Sequence, residues 1–367
     1  METAVLPEAR EAARAEQKAG TLARLQCGLA LAPILAMALS IMALDSVAHS
    51  GRLERWLTNQ LREFSRQTGT EYVDAGYYID HEDKLLTEQL PAQSYPDGGV
   101  YIFGTCNARV DFPPGGPIYD FATANTSHDD TYQLLRYLID QRGLLRAGAG
   151  KCHVVFALSY HASRKDPTGF FPNLWGRHGL YTYSPARGIA DAPISPLRRF
   201  IGQERTRIAG FMACLGEYAV QEMHHLSYSK GEPPKKHYPA YYKEADYRYM
   251  GSNWETGMRE EVQWLGQAVG ELQQRGVSVT VALLPLGTWE DDLPFKREYG
   301  QEVAALCRDK GIRLLDWTKI LGDDDFDDSV HPNVNGIDKL RAAFQTLAAQ
   351  LNHAGPGADN SKGAPLQ

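Results

Sequence analysis

The sequence predicts an α/β protein: a flavodoxin-like three-layer sandwich with a parallel sheet, preceded by one N-terminal transmembrane helix. Three observations lead there. Short apolar runs recur at Val100-Tyr101-Ile102-Phe103, His153 to Leu158, Val277 to Leu284 and Ile312 to Asp316, each of a length and composition suited to a strand buried on both faces. Helix-patterned stretches lie between them at Tyr132 to Gln141, Met258 to Gln274 and Gln301 to Lys310. Strand followed by helix, repeated, implies parallel pairing with right-handed crossovers. The third observation is an uncharged apolar run from Leu25 to Leu44.

Composition sets the outer bounds. A chain of 367 residues builds one large domain or two small ones, and its net charge of -7 argues against nucleic acid as a partner. Five cysteines form an odd set without C-x-x-C spacing, which suggests neither a disulfide framework nor a zinc site. No metal and no cofactor is expected.

Taken in order, the Leu25–Leu44 run has the length that crosses a bilayer as helix. A cleaved signal peptide, with Ser46-Val47-Ala48 as its cleavage site, is the rival reading. Arg10, Arg14, Lys18 and Arg24 precede the run while Arg52, Arg55 and Arg62 follow it, so the charge bias is slight. The short leading tail and large following domain favour a single-pass protein with a cytoplasmic N-terminus and an extracytoplasmic domain. From Arg52 to Arg66, Leu53, Trp56, Leu57, Leu61 and Phe64 repeat at helical spacing. That helix rests either at the membrane interface or on the domain.

The first strand runs into Gly104-Thr105-Cys106-Asn107-Ala108-Arg109. A nucleophile on a turn after a parallel strand projects from the sheet's carboxyl edge, where such folds bind ligands. A helix opening just after Cys106 would favour the thiolate and offer amides to an oxyanion. An inert buried cysteine would look the same. Far downstream, Asp327-Asp328-Ser329-Val330-His331-Pro332-Asn333 precedes Gly336. Asp328 and His331 have the spacing of a carboxylate that orients an imidazole base, and a polar surface loop is the alternative. Pro332 and Asn333 disfavour helix before Gly336.

With these stretches in view, the chain resembles the SGNH (GDSL-like) hydrolase superfamily, whose Gly-Asp-Ser block carries a nucleophile and whose Asp-x-x-His block carries its partners. Gly104-Thr105-Cys106 stands at the first block, with cysteine for serine and threonine for aspartate, and Asp328-Ser329-Val330-His331 matches the second. The N-terminal span, both blocks and the stretch Tyr119 to Asn125 make it most similar to the membrane-anchored, DltD-like branch. The resemblance covers about residues 95 to 345 and implies a Cys106–His331–Asp328 triad. It also implies an oxyanion hole formed by the Cys106 amide and by Asn125, which could instead form an Asx turn or cap the helix near Asp129. Ser159, Tyr160 and His161 stand at the third block, with Tyr160 and His161 as candidate substrate contacts or, for His161, a structural histidine.

The implied function is acyl transfer to, or ester hydrolysis on, a cell-surface polysaccharide or teichoic-acid-like polymer, beside a membrane-bound O-acyltransferase partner. A hydrolytic esterase or thioesterase, or a catalytically silent acceptor-binding subunit, are the alternatives. The expected organisation is a cytoplasmic tail (1–24), an anchor (25–44), a juxtamembrane helix and linker (45–94), a catalytic domain (95–350) and a disordered tail (351–367). An insertion at about 162–255 interrupts the domain, with a helix expected from Arg198 to His225 and an aromatic stretch from Tyr238 to Trp254. Those rings suit either a sugar acceptor or a satellite core. His224-His225 and Asp323-Asp324-Asp325 resemble metal ligands in composition alone, and the acidic run reads as a solvated loop.

Overall fold

The computed structural model describes residues 98–110, 112, 116–123, 126–145, 152–164, 180–184, 187–201, 239–326 and 329–353, with Ala36 and Ser40. The chain divides into two compact units, Met1–Trp56 and Leu57–Gln367, and the fold is that of the second. Among the described residues no helix is long and apolar enough to cross a membrane. The expected Leu25–Leu44 span lies outside them except for Ala36 and Ser40, both helical and exposed, so it has no structural support. The expected Arg52–Arg66 helix and His224-His225 also lie outside the described residues.

Five strands form one parallel sheet: β1 (Val100–Gly104), β2 (Ile118–Asp120), β3 (His153–Leu158), β6 (Ser278–Leu283) and β7 (Arg313–Asp316), in the order β2-β1-β3-β6-β7. With the intervening hairpin set aside, this is the 2-1-3-4-5 order of the flavodoxin-like sandwich. The helices are α1 (His128–Asp140), α2 (Pro239–Met250), α3 (Trp254–Gln274), α4 (Pro294–Lys310) and α5 (Val334–His353).

Strand alternation builds two cores. Tyr101, Phe103, Val154, Phe156, Val279 and Val281 face one side, where they join Leu134, Leu138, Leu265, Val269 and Phe295 from α1, α3 and α4. Val100, Ile102, Val155, Ala157 and Ala282 face the other, against Leu340, Phe344 and Leu347 of α5. Each fully buried Phe contributes roughly 1.5–3 kcal/mol relative to exposure, which explains why the central strands carry almost no polar residue.

The helix starts correct three expectations. Helix α1 is capped by Ser127, not Asn125: Ser127 Oγ accepts from the Asp130 N–H at 3.2 Å while Asp130 Oδ2 accepts from the Ser127 N–H at 3.1 Å, a reciprocal capping box. Helix α5 starts two residues earlier than Gly336, because Asn333 Oδ1 accepts the Asn335 and Gly336 N–H groups at 3.0 and 3.1 Å and so caps the helix instead of delaying it. The Asp323–Asp325 run is a 3-10 turn, not a solvated loop. Asp325 is buried, accepts the Gly322 N–H at 2.8 Å and pairs with Lys339 at 2.6 Å.

Within the expected insertion, β4 (Tyr181–Ser184) and β5 (Gly188–Asp191) form an antiparallel hairpin. Residues 196–201 are helical, and the rest of the expected Arg198–His225 helix lies outside the described residues. Several rings of the aromatic stretch pack inward: Tyr242 on Trp289 at 5.4 Å between centroids, Trp254 on Phe295 at 5.8 Å, and Tyr247, half exposed, edge-on to Phe295 at 5.2 Å.

Candidate functional site

The carboxyl ends of β1, β3, β6 and β7 deliver four loops to one edge of the sheet, and Cys106, Tyr160, His161, Glu290 and His331 lie on them. At the end of β1, Gly104 allows an approach that no other residue could make. A Cβ there would lie 2.3 Å from the Ala157 carbonyl oxygen and 2.7 Å from the Ala108 Cβ. Its own carbonyl accepts the Thr123 N–H at 3.0 Å.

Thr105 is extended, and Cys106–Ala108 then form one 3-10 turn, closed by the Ala108 N–H to the Thr105 carbonyl at 2.9 Å. The Thr105 hydroxyl donates to Asn107 Oδ1. Asn107 and Arg109 are each only 2% exposed, so they anchor the turn while Cys106 stays partly exposed. Asp120, at the end of β2, accepts the Val110 and Ala122 N–H groups, both at 2.9 Å, and fixes the chain leaving the turn. The expected helix after Cys106 is therefore a single turn. Few peptide dipoles align in so short a turn.

The loop carrying His331 is pinched at its base. Phe326 and Pro332 form an antiparallel bridge, and the Asn333 N–H donates to the Asp325 carbonyl at 2.8 Å. Gly336 is required beneath this pinch, since a Cβ would sit 2.3 Å from that same carbonyl oxygen. From the loop after β6, the Trp289 indole N–H donates to the Ser329 carbonyl at 3.1 Å. His331 is partly exposed. Cys106 and His331 thus stand on loops at the same edge of the sheet, whereas Asp328 and Asn125 lie outside the described residues.

Tyr160 and His161 lie close to two acidic residues. They belong to a 3-10 turn after β3, Tyr160–Ser163. His161 faces Asp246 of α2, with Nε2 3.5 Å from Oδ1, and Glu290 joins them from the turn after β6. One ligand atom from each of His161, Asp246 and Glu290 falls within 4.8 Å of the others. Tyr160 stacks on His161 at 4.0 Å and packs on Phe295 at 4.8 Å. Burial, followed by the negative charge of Asp246, holds the Glu290 carboxyl well above the usual carboxylate range. Burial, followed by the charges of Glu290 and Asp246, also raises the Tyr160 phenol.

Sequence reasoning missed Asp246 and Glu290. Glu290 opens the acidic run Glu290-Asp291-Asp292, and Asp246 sits near Glu244 and Arg248, so each reads as one of several surface charges. The usable signal was that Glu290 follows a buried strand by a few residues, at the ligand-binding edge of a parallel sheet.

No protein-family model matches the sequence, and neither does any curated protein. Among solved structures, the chain is similar to a candidate acylhydrolase from Bacteroides fragilis, with 11% sequence identity and a TM-score of 0.36, across 75% of this chain and 97% of that one.

Proposed function

We propose that this protein is an acyl-transferring enzyme of SGNH type, with Cys106 as nucleophile and His331 as general base. The observation that carries the reading is that the Cys106 turn and the pinched His331 loop both stand at the carboxyl edge of a sheet ordered 2-1-3-4-5. In the proposed cycle, His331 takes the Cys106 thiol proton and the thiolate attacks the donor's acyl carbonyl. The tetrahedral oxyanion is held by the Cys106 amide, with Asn125 as a second donor. The C–O or C–S bond to the leaving group breaks, and that group departs with the proton from His331. An acceptor hydroxyl then attacks the Cys106 thioester, gives its proton to His331 and releases the thiol. Asp328 orients the imidazole.

The finer reading is a membrane-anchored, DltD-like protein that acylates a cell-surface polymer beside a membrane-bound O-acyltransferase. It is supported by the sequence resemblance and by the Leu25–Leu44 run. Water in place of the acceptor hydroxyl would make the same site an esterase.

The test is alkylation of each cysteine against pH, followed by peptide mass mapping, together with acyl-adduct detection after exposure to p-nitrophenyl acetate. Selective labelling and acylation of Cys106 near neutral pH, both slowed in His331→Ala, is the expected result. An unreactive Cys106, or one indifferent to His331, would favour a binding subunit without turnover.

A further inference from the structure

We propose that His161, Asp246 and Glu290 form a binding site for one divalent transition-metal cation, distinct from the Cys106–His331 pair. The three side chains come from three separated segments: the turn after β3, helix α2 and the turn after β6. Each offers one nitrogen or oxygen, all within 4.8 Å of one another. Ligands bonded at about 2.0–2.2 Å to one tetrahedral ion stand roughly 3–3.5 Å apart, so small side-chain adjustments would close this set around a cation.

The site is buried, and several polar atoms of its acidic members have no hydrogen-bond partner of acceptable geometry among the described residues. Glu290 is 0% exposed and Asp246 4%, and the His161 side chain is 11% exposed. Among the described residues both Glu290 carboxylate oxygens and Asp246 Oδ2 lack a hydrogen bond of acceptable geometry. A second, independent observation is the Tyr160 hydroxyl. That residue is 1% exposed, it lies near enough to Glu290 and Asp246 to feel their charge, and it too makes no hydrogen bond of acceptable geometry. Buried polar atoms without partners are costly, and a cation held by the two carboxylates would satisfy them.

Among the described residues no Lys or Arg forms an ion pair with Asp246 or Glu290. Lys296 bonds Asp291 at 2.8 Å, Lys243 bonds Asp292 at 2.7 Å, and Arg164 lies over the Tyr249 ring.

One imidazole and two carboxylates suit zinc, manganese, cobalt or ferrous ions better than calcium or cuprous ions. Three protein ligands leave a coordination position open, and the Tyr160 hydroxyl would donate to a carboxylate oxygen or to a water at that position. The bound ion would tie helix α2 to the sheet's carboxyl edge.

The test uses the full chain, stripped with a chelator and titrated with Co²⁺ and then Zn²⁺, followed by calorimetry, visible absorption and thermal unfolding. One ion per chain is expected, with a cobalt spectrum that lacks a thiolate charge-transfer band and a Tm that rises with Zn²⁺. Glu290→Gln and Asp246→Asn should each weaken binding by more than about 100-fold, beyond the loss typical of residues that only support a ligand. Cys106→Ala and His331→Ala should bind normally, which separates this site from the acyl-transfer reading. The proposal is overturned if the stripped protein, folded by near-ultraviolet circular dichroism, takes up neither ion. Affinity unchanged in both amide variants, or a thiolate band that disappears in Cys106→Ala, would overturn it equally.

Discussion

The Trp289 indole donates to the Ser329 carbonyl at 3.1 Å, and this bond, beside the Thr288 N–H donating to Asp323 at 2.8 Å, ties the loop after β6 to the segment that carries His331. The indole is clamped by Tyr242 at 5.4 Å and edge-on by Phe326 at 5.8 Å between centroids. A rigid ring therefore helps to position the Ser329 backbone. Trp289→Phe keeps an aromatic body but removes the donor, at a cost of about 1 kcal/mol for the lost bond. The expected outcome is a small fall in Tm with a disproportionate rise in amide hydrogen exchange at Ser329–Asn333. Exchange that rises uniformly across the domain would show that the ring acts through packing alone.

Gly104→Ala tests the nucleophile turn from the backbone side. The added methyl would lie 2.3 Å from the Ala157 carbonyl oxygen, a backbone atom that cannot rotate away. Separating β1 from β3 to relieve it would disturb the central strand pair, so a loss of about 1–3 kcal/mol or more is expected. Urea unfolding measures it. A change under about 0.5 kcal/mol, the range of an ordinary surface substitution, would mean that the turn relaxes without the sheet.

Two buried groups near the start of α1 give the domain an opposed pH dependence. His128 sits against Tyr299, with Nε2 2.9 Å from the hydroxyl, and burial lowers its pKa from 6.5 to about 3. Between those values the unfolded chain binds more protons, so stability falls as the pH drops from 6.5 toward 3. Glu261 accepts the Asp129 N–H at 3.0 Å, and burial, with Asp129 and Asp130 nearby, raises its pKa from 4.5 to about 7. The folded chain then binds the extra proton, and stability falls as the pH rises from 4.5 through 7. Glu261→Gln should abolish that second decline and leave the acid limb intact, read as Tm against pH. Parallel curves for the two proteins would remove Glu261 from the account.

Four of the five sheet strands were legible because continuous apolar runs have few other uses. Strand β2, Ile118–Asp120, has three residues at the sheet's edge, too few to establish a period. The β4–β5 hairpin is rich in tyrosine and hydroxyl residues, with Ile189 and Tyr181 its well-buried members, so its core-facing side is thin. At the site, Gly104 and the Asp-x-x-His spacing pointed to the Cys106 and His331 loops, because a turn and a short loop are local. The set of His161, Asp246 and Glu290 is not local. Its members are brought together only by the parallel crossovers and by α2, and apart from the place of Glu290 shortly after a buried strand, neither acid's sequence neighbourhood distinguishes it from a surface carboxylate.

Asp325 shows how composition misleads about a charged run, and it supplies the last prediction. Of three successive aspartates, Asp325 is the buried one, with a side-chain exposure of 8% against 55% for its partner Lys339. Its Oδ2 also accepts the Gly322 N–H at 2.8 Å, so the carboxylate closes the turn and reaches helix α5 at once. Asp325→Asn keeps an acceptor for Gly322 but loses the charge facing Lys339. Solvent around the lysine screens the pair, which limits the expected loss to about 1 kcal/mol. Asp325→Ala also strands the Gly322 N–H and should cost about 1–3 kcal/mol more. Asp324→Asn leaves these bonds untouched and should be neutral. A double-mutant cycle with Lys339→Met separates the two contributions: coupling to Lys339 that equals the whole Asp325→Ala loss would leave no part for the turn, and the structural role assigned to this carboxylate would fail.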